Sequence, residues 1–355
     1  MGEKKLGHSV KKAMILAAGL GTRMAPVTDS IPKPLVPILN VPNIVHNIHL
    51  LKHVGIEDIV INTFHLGPKL MEALGDGTSL GVSIRYSVEE TLLGTGGGVK
   101  HAEKLLGNEP FVLCNSDLIT DLDLNAAIDY HFSQKAVATM VLLDDEEKKR
   151  RYANVGTDEN GRLCQLPSKT TRTPKQTGIF TGIHILQPEA HQYLEPVFSG
   201  INQVLYPSLM EKQPDKAVGY YAPPTSTCWL DTGEVPIFWE TSMTLLDALQ
   251  KGEPYLPQFL SRHEYRETKK GFWTHELANA VEDLETNGTV LLGEGCDLGR
   301  GVKLGSHAVV GKGSTIGAGA HIERTVLLPG AQVAAGIHLT DTIVFGDRQL
   351  LHSHK

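Results

Sequence analysis

Through the last fifth of the chain an aliphatic residue recurs every six positions, at Leu292, Leu298, Leu304, Val310, Ile316, Ile322 and Leu328. Glycine follows the first five directly, at Gly293, Gly299, Gly305, Gly311 and Gly317. Small or apolar residues stand four positions after each of the first six, at Cys296, Val302, Ala308, Ser314, Ala320 and Val326. A period of six fits neither the 3.6 of a helix nor the 2 of a strand. It predicts a left-handed parallel β-helix whose flat faces each take one hexapeptide. The aliphatic side chain points into the prism and the glycine lets the chain turn the corner. At about 18 residues per coil, Thr289 to Phe345 makes roughly three coils, near the minimum for a stacked solenoid. Ala334 and Thr340 break the series, as an end cap would. A glycine-rich linker would not hold aliphatic residues in register in this way.

The first half is organised differently. Ala13–Ala18 is a short apolar run ending at Gly19, as a buried parallel strand ends. From Pro42 to His53 the apolar Ile44, Val45, Ile48 and Leu51 fall at helical spacing, with Gly55 in place for a C-terminal cap. Strands are predicted at Asp58–Asn62, Val82–Tyr86 and Phe111–Asn115, and helices at Gly98–Leu106 and Leu124–Phe132. This alternation implies an α/β domain with a parallel sheet and helices on both faces. Ligands of such sheets bind beyond the carboxyl ends of the strands. The loops after Ala18, Tyr86 and Asn115 are therefore the candidate site. The charge run Asp144–Arg151 reads as a solvated helix end or loop, and residues 156–175 as a polar, weakly patterned excursion.

Composition narrows the function class. With 41% hydrophobic and 21% charged residues the chain is globular rather than disordered. A net charge of -7 disfavours a nucleic-acid partner. No apolar stretch approaches membrane-spanning length, so no membrane partner is expected. Met1–Lys12 lacks the apolar core of a secretory signal. Cys114, Cys164, Cys228 and Cys296 show no metal-ligand spacing and read as reduced thiols, so a cytoplasmic location is expected.

The loop after the first strand carries the strongest chemistry. It runs Leu16, Ala17, Ala18, Gly19, Leu20, Gly21, Thr22, Arg23, and continues to Pro32-Lys33-Pro34. Gly19 and Gly21 can adopt backbone angles barred to other residues, and a strand-to-helix glycine turn aims N–H groups at one point, where a phosphate fits. A P-loop is excluded by the lack of a GK[ST] ending, and a dinucleotide fingerprint by Met24 where a third glycine belongs. Arg23 offers a planar fork for phosphate oxygens and Lys33 a mobile point charge. Pro32 and Pro34 are expected to hold Lys33 in an extended segment.

The run LAAGLGTRM…IPKPLVPI resembles the signature of the sugar-1-phosphate nucleotidylyltransferases, the NDP-sugar pyrophosphorylases. The resemblance covers Ala13 to about Ser242, and among its members it is nearest to mannose-1-phosphate guanylyltransferases with a hexapeptide tail. It implies a Rossmann-like, mixed but mainly parallel sheet. It implies a catalytic domain over 12–242, a helical linker over 243–285, a left-handed β-helix over 286–346, and tails at 1–11 and 347–355. Glu89, Gly94, Thr95, Gly96 and Gly97 (EETLLGTGG) resemble the second nucleotide loop, in which a Glu or Gln and backbone atoms hold base and ribose. Asn115-Ser116-Asp117 resembles the Asn-Gly-Asp metal position, and Trp229-Leu-Asp231-Thr-Gly233 the Trp-x-Asp-x-Gly position. Asp117 and Asp231 would then hold Mg²⁺. Asn115, Lys169, Thr181 and Gly182 match sugar-pocket positions. The family's Tyr-Gly is Tyr152-Ala153 here, and its Glu-Lys is Ser168-Lys169.

The reaction so implied is NTP plus sugar 1-phosphate giving NDP-sugar and pyrophosphate. The catalytic residues are Arg23 on the β- and γ-phosphates, Lys33 on the α-phosphate and the sugar phosphate, and Asp117 on the metal. The expected pair is GTP with mannose 1-phosphate. UTP with N-acetylmuramate 1-phosphate or another hexose 1-phosphate is the alternative. A non-catalytic NDP-sugar sensor is the alternative of another class, although the four signature residues are all present. A Rossmann-type oxidoreductase fails at Arg23-Met24. The tail is expected to make the protein a homo-oligomer rather than to form an acyltransferase, with His307, His321 and His338 as solvated face residues.

Overall fold

The computed structural model describes residues 10–225, 227–253, 255–279 and 284–351. It divides into two compact units. The first holds the chain as far as Gly21, Thr28–Leu35 and Ile44–Leu230; the second holds Thr22–Val27, Val36–Asn43 and the chain from Asp231. The expected 12–242 stretch is therefore shared between the two.

The first unit is built on a ten-stranded mixed sheet. Four strands run parallel in the order β3-β2-β1-β4: β1 (Lys12–Leu16), β2 (Asp58–Thr63), β3 (Ser83–Val88) and β4 (Phe111–Asn115). Helix α1 (Asn43–His53) connects the first two strands and α2 (Gly67–Leu74) the next two. Met14, Val60 and Leu113 stand in register on one face, and pack with Val99, Leu106 and Leu205. Ala13 and Ile15, on the other face, are equally buried. Burial on both faces is why these strands read as continuous apolar runs rather than as alternating ones.

Beyond β4 most pairings are antiparallel, although Ala217–Ala222 runs parallel to Ala138–Leu143. Gln176–Leu186 pairs antiparallel with β4, with Ala138–Leu143 and with Asn154–Thr157. The stretch 156–175 is not an unstructured excursion: Asn154–Thr157, Leu163–Leu166 and Lys169–Thr170 form a meander. Its polar outer residues hide the strand pattern, while Leu163, Cys164 and Leu166 are buried. The helix expected at Gly98–Leu106 begins earlier. It comprises α3 (Gly94–His101) and a short turn Glu103–Leu106, so the glycine run is helical and not loop. The charge run forms a helix, Glu146–Arg151, capped by Asp145.

The second unit contains the hexapeptide region, wound as three columns of parallel strands. One column stacks Glu285–Thr286, Lys303–Leu304, His321–Ile322 and His338–Leu339. A second stacks Val290–Leu292, Ala308–Val310, Thr325–Leu327 and Thr342–Val344. A third stacks Asp297–Leu298, Thr315–Ile316 and Gln332–Val333. Leu292, Leu304, Val310, Ile316 and Ile322 fill the interior, as their period predicts.

Four expectations are corrected here. The series does not end at Leu328. One coil is shortened, so that Val310 pairs with Leu327, and the interior series continues one residue out of phase as Leu327, Val333 and Leu339. Arg324, at φ 45, absorbs the missing residue. The glycines after each aliphatic do not turn corners through left-handed backbone. A Cβ on Gly299 would lie 2.4 Å from the Ala318 nitrogen of the next coil, so these glycines permit close stacking. The left-handed corners belong to a different set, such as Gly301 at φ 74. Finally, residues 243–285 are not simply helical. Helices Val235–Lys251 and Tyr255–Arg262 are followed by the hairpin Tyr265–Lys269 and Phe272–His275, and the second hairpin strand pairs in parallel with Val290–Leu292. The C-terminal tail likewise contains a strand, Arg348–Leu351, paired with the last coil.

Two buried histidines make the first unit acid-sensitive. Burial lowers His131 to about 4 and His184 to about 3, and they bond Thr139 and Tyr206 respectively. Each is depressed below the ordinary 6.5 that it regains on unfolding, so the unfolded chain binds more protons between those values. Stability is then complete above about 6.5 and falls as the pH drops, by up to about 1.4 kcal/mol per pH unit for each group. Urea midpoints measured from pH 7 to pH 5 should decline, and His131→Gln should flatten that decline.

Candidate active site

The register of β1 places Leu16 level with Asn62 on one side and Asn115 on the other. Three carboxyl-terminal strand ends therefore open at one level, where a parallel sheet presents its ligand site. A cavity of about 210 Å³ lies there. It is lined by Leu16, Ala17, Ala18 and Gly19 after β1, by Lys33 and Pro34, by Leu92, Gly94 and Thr95, by Asn62, and by Asn115, Ser116 and Asp117.

Of the three residues expected to be catalytic, Lys33 and Asp117 meet in this cavity. Their side chains form an ion pair and are only 16% and 20% exposed. Asp117 is followed by a strand, Leu118–Thr120, so it is not a helix cap; the cap of the next helix is Asp123. Lys33 is not held extended. It begins a 3-10 turn, Lys33–Leu35, closed by the Leu35 N–H donating to the Pro32 carbonyl at 2.8 Å. Proline at the second position of such a turn loses no hydrogen bond, so Pro34 favours it rather than preventing it. Arg23 and Asp231 belong to the second unit. There the Arg23 guanidinium pairs with Glu234. The Asp231 carboxylate accepts the Gly233 N–H at 2.7 Å, and its carbonyl accepts the Thr241 hydroxyl at 2.7 Å.

The nucleotide positions sort in the same way. Leu16, Ala17, Ala18, Gly19, Gly94 and Thr95 line the cavity. Gly21 alone of the first two loop glycines uses the left-handed region, at φ 68. Gly19 has no atom within 4 Å of its would-be Cβ, so it leaves open space instead. Thr22 lies in the second unit. Glu89, Gly96 and Gly97 stand behind the cavity wall: Glu89 is 4% exposed, and a Cβ on Gly97 would sit 2.1 Å from the Val197 carbonyl.

Sequence reasoning missed Asn62. It is 2% exposed, its Oδ1 accepts the Ala17 N–H at 2.8 Å, and its amide donates to Glu89 Oε1 at 2.7 Å. Glu89 Oε2 accepts the Leu93 N–H at 2.9 Å. Thus the first loop N–H is committed to the protein, and Glu89 is a brace between β2 and the turn into α3. A Cβ on Gly98 would press within 2.9 Å of both Asn62 and Glu89, which explains why the helix carries glycine there. The available signal was a polar residue ending an apolar strand, DIVIN.

The sugar positions are divided. Asn115 lines the cavity, and a Cβ on Gly182 would lie 3.1 Å from its amide. Thr181 faces inward, fully buried, with its hydroxyl donating to the Val141 carbonyl at 2.9 Å. Lys169 pairs with Glu211 of the helix Ile201–Lys212.

A glycine turn, a lysine and a carboxylate around one small cavity suit a polyanion accompanied by a divalent cation. Residues 12–248 match the family model described as nucleotidyl transferase. The chain belongs to that family, and it is an enzyme of the nucleotidyltransferase class. It is 31% identical over 349 residues to a UTP–glucose-1-phosphate uridylyltransferase of Synechocystis sp., covering 94% of this chain and 87% of the relative. It is 33% identical over 339 residues to a mannose-1-phosphate guanyltransferase of Pichia angusta, covering 94% and 85%. It is 36% identical over 230 residues to an N-acetylmuramate alpha-1-phosphate uridylyltransferase of Neisseria meningitidis, covering 63% and 94%. A crystal structure assigned as a glucose-1-phosphate thymidylyltransferase from Bacillus anthracis, in complex with a sucrose, superposes with a TM-score of 0.55. It is 25% identical and spans 65% of this chain and 93% of that one. Among the described residues no helix is long and apolar enough to cross a membrane.

The Asn62–Glu89 brace yields a stability prediction. Glu89→Ala leaves the buried Asn62 amide and the half-buried Leu93 N–H without their acceptor, at a cost of about 1–3 kcal/mol for the first and less for the second. Urea unfolding should register the loss, and Glu89→Gln, which retains one acceptor oxygen, should recover part of it.

Proposed function

We propose that this protein transfers a nucleotidyl group from a nucleoside triphosphate to a sugar 1-phosphate, releasing pyrophosphate, with GTP and mannose 1-phosphate as the working pair. The observation that carries the reaction is the meeting of the glycine turn, Lys33 and Asp117 at the ends of β1 and β4. The pair is supported by the Pichia relative, whose match extends through the hexapeptide region. UTP with glucose 1-phosphate or N-acetylmuramate 1-phosphate is the second reading, favoured by the Synechocystis and Neisseria relatives.

In this mechanism a sugar-phosphate oxygen attacks the α-phosphorus in line and pyrophosphate leaves. The nucleophile is already an anion, so the protein supplies no general base. The obstacle is the meeting of two polyanions, and catalysis is positioning plus charge neutralisation. The loop at Ala18 and Gly19 admits the triphosphate. Lys33 exchanges Asp117 for phosphate oxygens and draws the α-phosphate and the sugar phosphate together. Arg23 neutralises the β- and γ-phosphates and the leaving pyrophosphate. Asn115 takes a sugar hydroxyl. The carboxylates of Asp117 and Asp231 are hard oxygen donors that fit Mg²⁺, which when bound neutralises phosphate charge. For the second unit we propose that the coils wind left-handed and that it joins copies of the chain into a homo-oligomer. Light scattering reads the oligomer directly, and a monomer at working concentration overturns it.

Removing one aligned charge should lower turnover by about 10²–10³-fold, or about 3–4 kcal/mol. Lys33→Ala, Asp117→Ala and Arg23→Ala should each remain folded by circular dichroism and show that loss in a pyrophosphate-release assay. Across the common nucleoside triphosphates and a panel of sugar 1-phosphates, GTP with mannose 1-phosphate should be fastest. A faster UTP pair replaces the substrate assignment, and release from no pair replaces the reaction with NDP-sugar sensing.

A further inference from the structure

We propose that His321, Glu323 and His338 form a binding site for a borderline transition-metal ion, with Zn²⁺ as the type case, on the outer face of the second unit's solenoid. Among the described residues they are the one group of three whose donor atoms all lie within 4.8 Å of one another.

The coil geometry creates this group. His321 pairs with His338 across two successive parallel strands, and Ile322 with Leu339. The two aliphatic residues are buried, at 0% and 3% exposure. Alternation along a strand therefore sends His321, Glu323 and His338 outward together. The two imidazoles stack with centroids 4.4 Å apart and planes inclined by only 9°. Glu323 Oε2 lies 4.0 Å from His338 Nε2, while Ser306 Oγ is 3.5 Å from the other carboxylate oxygen. Gly305, one coil earlier, leaves room beneath them: a Cβ there would lie 3.3 Å from both Glu323 and His321 Nε2. The histidines are thus neither isolated nor merely solvated, as their sequence positions suggested. His307 also departs from that expectation, since it is 7% exposed and bonds Asp247 at 2.8 Å.

Two imidazoles and one carboxylate form the three-ligand set of an open zinc site, with a fourth position for water. Donors about 2.0–2.2 Å from a tetrahedral ion are separated by about 3.3–3.6 Å, so the side chains must close by about 1 Å and the rings must turn out of their parallel stack for both in-plane lone pairs to meet the ion. His338 and Glu323, with side chains 58% and 38% exposed, have the rotational freedom to do so. The chemistry selects against Mg²⁺ and Ca²⁺, which take oxygen ligands. Lys303 occupies the same ladder one coil earlier, and its ammonium disfavours an ion held by charge alone. Affinity must come from the nitrogen donors. A bound ion cross-links two neighbouring coils and stabilises the folded solenoid by mass action.

The test uses the full chain freed of metal by a chelator. Zn²⁺ is titrated in competition with a chromophoric chelator, and Co²⁺ is added separately to read its visible d–d absorption. About one tight equivalent per chain is expected, with a low-symmetry Co²⁺ band and a rise in thermal midpoint with Zn²⁺. His338→Gln, His321→Ala and Glu323→Gln should each weaken binding by at least about 10-fold and remove the thermal shift. Pyrophosphate release with Mg²⁺ should be unchanged in His338→Gln. Three results overturn the site: no tight equivalent, tight binding that persists in both histidine variants, or binding that is lost in Asp117→Ala instead.

Discussion

The placement of β1 between β2 and β4 is the constraint on which the rest of the first unit depends. With Leu16 level with Asn62 and Asn115, the glycine turn, the brace and the acidic turn all emerge at one edge of the sheet. A slip of one residue would exchange the two faces of β1 and bury the wrong set of side chains. Met14 between Val60 and Leu113, with Ala13 and Ile15 sealed on the opposite face, makes such a slip costly. Packing energy in the core thereby fixes the position of the polar and charged groups at its rim.

That edge is held by polar interactions made behind the cavity rather than within it. Asn62 anchors the loop backbone and Glu89 anchors Asn62 and the start of α3. Buried groups of this kind must be satisfied, so each holds the others in place. The glycine helix follows from the same demand, because side chains at Gly97 or Gly98 would collide with the Val197 carbonyl or with the brace. In front of the brace, the Lys33–Asp117 pair keeps opposite charges poised at low exposure. A polyanion entering there meets a cation that already has a desolvated, oriented position, which is the preorganisation that phosphoryl chemistry requires.

The second unit obeys a different rule, set by the spacing between parallel coils. Adjacent strands approach so closely at Gly299 and Gly317, each directly after an aliphatic of the repeat, that neither position has room for a side chain. The same spacing aligns outward residues into ladders, of which Lys303, His321 and His338 are one. Shortening one coil at Arg324 shifts the sequence phase without disturbing the interior, because Leu327 moves into the place that period six would have given to Leu328.

Much of this was legible in the residues themselves. The apolar runs of β1 and β4, the glycine turn, Lys33, Asp117 and the six-residue period each follow from local rules of burial and backbone freedom. The family signature added the reaction class. The meander at 154–170 was not legible, because its strands are only two to four residues long and bury glycine and threonine beside their apolar residues, so no alternation marks them. Nor were the partners of Lys169, Glu89 and His321, which come from positions 42, 27 and 17 residues away along the chain. The sequence by itself determined which chemical groups this protein carries and the period with which it can bury its apolar side chains, since both are properties of short segments. Only the tertiary structure decided which of those groups face one another, because contact depends on strand register and coil spacing, and these are set by packing summed over residues far apart in the chain.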